Sequence, residues 1–322
     1  MFLALFLLLV GFGVLIKGAD FLVNGASSVA KKFNVSSLAI GLTVVALGTS
    51  TPELIVSLYS AFEGRSDASF GNVIGSNNFN LLFILGVAGL IYPLTVQRST
   101  VKYEVPLSLL AALVLYVLVN DQIVLGTEVN MLSRWDSAIL ILFFGFFMMY
   151  IYRTMKKVSD YEEAPIKMYT TPLATGMIIL GLAMLVGGGT LVVDNAVAIA
   201  EYYGLSQRLI GLTILAAGTS LPELATSAVA AYRKNTDIAI GNVIGSNIFN
   251  IFFILGITGA IHPIAYNSAM NFDMEVLGAT TILLIVFMFT INQRKLDRWE
   301  AFILLAGYIA YTVYLVVNDN VV

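Results

Sequence analysis

Cysteine is absent from the 322 residues, histidine occurs once, and charged side chains make up only 11%. The first absence excludes disulfides, thiolate metal sites and cysteine nucleophiles. The second leaves no histidine near Ser50 or Ser220, and no H-E-x-x-H, G-x-S-x-G or P-loop motif occurs, so a membrane hydrolase or phosphatase has no chemistry to use. The chain is expected to be no enzyme and to need no cofactor. A soluble domain carries about 25% charged residues. Less than half of that, with 58% hydrophobic residues, marks an integral membrane protein whose main partner is the lipid bilayer. The net charge of -3 is uninformative about partners, because topology depends on where lysine and arginine sit.

Apolar runs of the roughly 20 residues needed to cross a bilayer occur ten times, near residues 2–30, 36–62, 68–92, 100–119, 134–152, 172–203, 206–232, 238–261, 273–291 and 299–317. The opening run, 1–16, has no basic leader and no convincing cleavage site before Lys17, so it reads as a retained span. Ten crossings put Lys31, Lys32, Arg98, Lys102, Arg153, Lys156, Lys157, Lys167, Arg233, Lys234, Arg294, Lys295 and Arg298 on one side. Arg65, Arg134 and Arg208 fall on the other, and Lys17 lies within the first span. Positive residues stay inside, so both termini should face outward. Five spans per half force the second half to enter upside down. The expected fold is all-α, a polytopic membrane protein of ten transmembrane helices in two inverted five-helix repeats. These are 1–154 and 172–322, joined by a short charged cytoplasmic linker, 155–171.

The halves share one stretch, 41–80 and again 211–250. In the first copy an apolar run is interrupted by Gly48-Thr49-Ser50-Thr51-Pro52-Glu53 and followed by Gly71-Asn72-Val73-Ile74-Gly75-Ser76-Asn77-Asn78-Phe79-Asn80. The second reads Gly218-Thr219-Ser220-Leu221-Pro222-Glu223, then Gly241-Asn242-Val243-Ile244-Gly245-Ser246-Asn247-Ile248-Phe249-Asn250. Pro52 and Pro222 cannot donate to the carbonyls of Gly48 and Gly218, so each helix should break at the midplane. Irregular backbone at that depth belongs only where it is buried in protein or lines a cavity. The half-helix ending near Thr49 or Thr219 offers carbonyls to a cation, and the next carries Glu53 or Glu223 in its first turn.

Ser50 and Glu53, like Ser220 and Glu223, also fit a capping box, in which the acid only accepts a backbone amide. A carboxylate near the bilayer centre costs about 2.5–3.5 kcal/mol on insertion scales, which favours a functional acid over a cap. Ser76 and Asn80 share a helix face, as do Ser246 and Asn250. Asn72, Asn77, Asn242 and Asn247 fit either ligation or interhelical hydrogen bonding. Two carboxylates with hydroxyl, amide and backbone oxygens suit a hard cation such as calcium, and zinc or copper is not expected.

Elsewhere, the long first and sixth spans carry glycines that permit close helix contact, or sliding. Asp20 and Asp194 on these spans fit a partnership with Lys17, helix-end charges or the lining of an access path, with a structural role preferred. His262 reads as a surface residue.

At these residues the chain resembles the sodium/calcium exchanger family of cation/calcium antiporters, of a prokaryotic type without a regulatory loop. G-T-S-x-P-E followed by G-N-x-x-G-S-N-x-x-N, twice, carries the resemblance, and 14 of 19 positions agree between 71–89 and 241–259. It implies that Glu53 and Glu223 coordinate calcium and sodium, with Thr49, Ser50, Ser76 and Asn80, their counterparts Thr219, Ser220, Ser246 and Asn250, and the backbone carbonyls of Ala46 and Ala216. It also implies two long helices sliding past a core. Asparagine at both Asn80 and Asn250 points away from potassium coupling, for which relatives carry aspartate at the second position. The expected function is secondary antiport of Na+ against Ca2+ in the cell membrane by a monomer, with Ca2+/H+ or K+-dependent exchange as the alternative and a glutamate-filtered channel as a different class.

Overall fold

The computed structural model describes residues 2–124, 126, 129–155, 167–203, 216–290 and 292–318. Among these, eight helices are long and apolar enough to cross a bilayer, or nine if a bent pair counts as one span. In chain order they begin with α1 (Phe2–Lys32), the bent pair α2 (Ser37–Thr49) and α3 (Thr51–Phe62), α4 (Ser66–Ile91), α5 (Thr100–Val119) and α6 (Arg134–Thr154). The second half has α7 (Thr171–Tyr202), α8 (Leu221–Tyr232), α9 (Thr236–Ile261), α10 (Ser268–Phe287) and α11 (Arg298–Asn318). These match the expected spans closely. The exception is the seventh, expected over 206–232, because 204–215 lie outside the described residues. What is described there is one helical turn, Ala216–Gly218, and then α8.

Burial sorts the helices. Every residue of α9 from Thr236 to Ile248 is buried, and α4 is mostly so, as befits helices enclosed on all sides. The outer helices turn large apolar side chains outward, among them Phe6, Leu180 and Phe302. Two short antiparallel pairs tie the halves together. Strand β1 (Leu94–Thr95) pairs with β4 (Lys295–Leu296), and β2 (Met131–Leu132) with β3 (Ile264–Ala265).

Hydrogen bonds define two ends of the bundle. At one, Ser36 donates its amide to Met155, Val96 to Arg294, and Tyr150 at the close of α6 bonds Glu104 at the start of α5. At the other, Tyr266 donates to Asn130, and Asn120 and Asn271 exchange side-chain bonds.

Helices α1 and α7 run antiparallel in close contact. Small residues recur every seven positions on both, at Gly11, Gly18 and Gly25 and at Ala174, Gly181 and Gly188. A Cβ on Gly18 would lie 2.9 Å from the Gly181 carbonyl oxygen, and one on Gly181 would lie 2.7 Å from the Leu22 amide nitrogen. Backbone therefore meets backbone along this seam, the packing role expected of small residues in membranes. Asp20 pairs with Arg233, beyond the end of α8, rather than with Lys17, and Asn235 donates to Ser27 Oγ at 2.9 Å. Its role is thus structural, holding α1 to the turn between α8 and α9.

The seam yields a prediction. Gly181→Ala should lower the thermal unfolding midpoint in detergent, by an amount equivalent to about 1–3 kcal/mol of overpacking. Gly187→Ala, where a Cβ meets nothing within 4 Å, should be neutral or slightly stabilising.

Candidate functional site

At the first break one residue leaves the helix, and at the second two, Thr219 and Ser220, do so. Ser50 (φ -83°, ψ 7°) separates α2 from α3 with a 45° bend, and Ser220 (φ -89°, ψ 7°) precedes α8. Pro52 and Pro222 occupy the first turn of the following helix, where a missing N–H costs nothing. Glu53 and Glu223 come next, each only 1% exposed.

The capping box does not form, since neither Ser50 nor Ser220 makes a side-chain cap bond to its own helix. Each hydroxyl instead crosses to the other half. Ser50 Oγ donates to Glu223 Oε1 at 2.8 Å, and Ser220 Oγ to Glu53 Oε1 at 2.9 Å. Ser246 joins Ser50 at 2.9 Å, and Ser76 joins Ser220 at 3.0 Å. Each acid thus has one oxygen held by serines. Its Oε2 is buried and without a partner.

Asn80 and Asn250 repeat this arrangement. Asn80 Nδ2 donates to Asn247 Oδ1 at 3.0 Å, and Asn250 Nδ2 to Asn77 Oδ1 at 2.9 Å. The facing residues are fixed in turn, because Asn77 Nδ2 donates to the Asn247 carbonyl and Asn247 Nδ2 to that of Asn77. This network settles which way each amide points: Oδ1 of Asn80 and of Asn250 is the atom left buried and unpartnered. Both asparagines sit in π-helical turns, Phe79–Ile84 and Phe249–Leu255, a widening that periodicity alone does not reveal.

Asn72 donates to the Glu53 carbonyl and to Ser57 Oγ, and Asn242 does the same for Glu223 and Ser227. Thr49 bonds Asn242 Oδ1 at 3.0 Å, and Thr219 bonds Asn72 Oδ1 at 3.3 Å. All four asparagines of uncertain role therefore hold the frame together by hydrogen bonds. The Ala46 carbonyl is already engaged, accepting the Ser50 amide at 2.9 Å and lying 3.3 Å from Thr49 Oγ1. Ala216 opens the turn Ala216–Gly218.

Among the described residues, a cavity of ≈ 810 Å³ reaches this frame from one end. Its inner wall includes Pro52, Asn72, Gly75, Thr219 and Pro222, and its outer part Asp194, Asp273, Tyr308 and Tyr311. Asp194 thus lines this cavity, whereas Asp20 is held in an ion pair. Asp273 and Tyr311, bonded at 2.5 Å, have no sequence signal beyond a lone acid and a lone tyrosine in separate apolar runs. Access is unequal: Asn72 and Thr219 border the cavity, whereas their counterparts Asn242 and Thr49 are fully buried.

Among the described residues no three acidic or histidine side chains converge. A bound cation would draw its charge from two carboxylates alone and complete its shell with neutral oxygens. That donor set fits sodium or calcium and gives no nitrogen or sulfur to a softer metal.

Comparison with known proteins matches the "Sodium/calcium exchanger protein" family over residues 3–153 and 173–317. The CaxA protein of Alkalimonas amylolytica is 38% identical over 98% of this chain and 99% of its own length. Sodium/calcium exchanger MaX1 of Methanosarcina acetivorans is 32% identical, with 96% and 97% covered. A solved structure of the sodium-calcium exchanger NCX_Mj, soaked with 10 mM Na+ and zero Ca2+, superposes with a TM-score of 0.81 at 31% identity, covering 98% of this chain and 99% of that one.

The asparagine lock can be tested by stability. Asn77→Leu strands Asn250 Nδ2 and the Asn247 carbonyl and should cost about 2 kcal/mol or more in detergent unfolding, and Asn247→Leu, which strands Asn80 Nδ2 and the Asn77 carbonyl, should cost about as much.

Proposed function

Because the chain belongs to the sodium/calcium exchanger family and is a multi-pass integral membrane protein, we propose that it exchanges Na+ for Ca2+ across the cell membrane by alternating access. The ions bind between Glu53 and Glu223. One observation carries this reading: four buried oxygens, Oε2 of both glutamates and Oδ1 of Asn80 and Asn250, have no partner in a frame that otherwise satisfies its polar groups. Buried acceptors left unpaired cost about 1–3 kcal/mol each, more for a charged group. Here they occur in matching pairs around two acids, as a cation cradle requires.

In this reading Ser50, Ser76, Thr49 and Ala46, with Ser220, Ser246, Thr219 and Ala216, shape or complete the cradle. Two ionised glutamates balance one calcium or two sodium ions, and a third sodium makes the cycle electrogenic. The competition is electrostatic, since both cargoes neutralise the same pair of charges. Ten spans in two inverted five-helix repeats, 1–154 and 172–322 about a linker at 155–171, give the site two equivalent approaches. The present cavity is the outer approach, with both termini outside and the more basic end in the cytoplasm. The glycine seam binds α1 and α7 to each other, so that in this reading they shift as one unit against the α4 and α9 core. One chain holds the whole site, so a monomer suffices. Amides at both Asn80 and Asn250 favour sodium without potassium.

Sodium-loaded proteoliposomes diluted into sodium-free calcium-45 medium should accumulate calcium, and Glu53→Gln or Glu223→Gln should reduce the rate by about 100-fold or more, as removing half of the cradle's charge demands. Uptake driven equally by a proton gradient would establish proton coupling, and flux without a counter-ion would establish a channel. Undiminished exchange in both glutamine variants would refute the site.

A further inference from the structure

The cradle accounts for half of the buried polar atoms that lack partners. Of the others, Thr100 Oγ1 and Glu104 Oε2 lie one helical turn apart at the start of α5. Thr100 is fully buried and Glu104 is 2% exposed. Tyr150 of α6 donates its hydroxyl to Glu104 Oε1, which fixes the carboxyl group, while Oε2 makes no bond of good geometry and has the Thr100 hydroxyl as its polar neighbour. No described basic side chain pairs with Glu104. Asp237, which accepts from Gln97, is close enough to act on it electrostatically. A carboxylate enclosed in an apolar bundle with no counter-charge is costly to keep.

The second half holds a matching arrangement. Asp273, near the start of α10, accepts the hydroxyl of Tyr311 on α11, and this acid–tyrosine pair lines the cavity. Each half therefore places an acid near the start of its fourth long helical segment and a tyrosine on its last helix. One pair faces open space. The other is sealed at the opposite end of the bundle, and on that sealed side Thr226, the counterpart of the cavity-lining Val56, also carries an unpartnered hydroxyl.

We propose that Glu104, with Thr100 and Tyr150, forms a second cation-binding site, a waiting position for the transported ion at the end of the protein that carries Arg98 and Lys102, with Asp273 and Tyr311 as its counterpart at the cavity. The site rests on the carrier reading above. When the closed approach opens, Glu104 Oε2 and Thr100 Oγ1 are the first oxygens ready to replace part of an entering ion's hydration shell.

The test is sided exchange kinetics in proteoliposomes sorted by orientation. Glu104→Gln should raise the half-saturating calcium concentration on the Arg98 and Lys102 face by about three- to tenfold, the scale expected for removing one charge beside the path. The opposite face and the maximal rate should stay within about twofold. Glu104→Asp should restore most of the shift, and Thr100→Val, which keeps the side chain's shape, should give a smaller rise on the same face. Asp273→Asn should move only the opposite face. Normal exchange with unchanged half-saturation on both faces in Glu104→Gln and Thr100→Val would overturn the site. So would an equal rise on both faces that follows a fall in melting temperature and is not rescued by Glu104→Asp, since that marks packing alone. Absence of exchange in the unsubstituted protein would instead remove the carrier reading, and the waiting position with it.

Discussion

Two carboxylates enclosed in an apolar interior, with no basic residue among those described to neutralise them, set the terms for the rest of this structure. Each is 1% exposed, and each has one oxygen satisfied by serine hydroxyls while the other has no partner. A lysine or arginine here would satisfy both oxygens. Hydroxyls supply partial compensation without a charge, which in the proposed function keeps the pair available to a mobile cation. The remaining features follow from bringing those hydroxyls close. The helices must break at Ser50 and Ser220, and α4 and α9 must pass at the distance where asparagine side chains reach each other's backbone.

The two breaks are near copies in sequence but not in surroundings. Thr219 and Asn72 border open space, while Thr49 and Asn242 are enclosed. On the enclosed side α1 is held through Asp20 to Arg233 and through Ser27 to Asn235. At the cavity, Thr190 and Asp194 of α7 line the wall instead. On the proposed alternating-access cycle, a duplicated unit with one copy open and one closed is one member of a two-state equilibrium. The difference lies in contacts outside the shared motif.

Much of the scaffold was legible because its causes are local. Apolar run lengths located nine of the spans within a few residues, and Pro52 and Pro222 located the breaks. The glycines of the first and sixth spans announced close helix contact, although neither their seven-residue spacing nor the pairing of these two helices was read from them. What stayed hidden depends on partners distant in the chain. Ser50 and Glu53 have the spacing of a capping box, and only the arrival of Glu223, 173 residues on, shows where the hydroxyl goes. Asp20 and Asp194 looked alike in sequence, yet one found an arginine and the other a cavity. Nothing in an apolar run distinguishes Tyr150 or Tyr311 from ordinary packing until the acid opposite each is known. The π-helical turns at Asn80 and Asn250 were also beyond a reading based on a regular period.

The exchange of serines between the halves has a consequence for biosynthesis. Glu53 receives its hydrogen bond from Ser220, 167 residues later in the chain. At about 5–20 residues per second, the ribosome finishes the first acid roughly 10–30 s before it makes that acid's partner. During this interval the nascent first half sits in the translocon or the lipid with an unsatisfied carboxyl group. It is therefore at its most vulnerable to membrane proteases before the second half arrives, and a gene fragment encoding either half alone should yield a short-lived product.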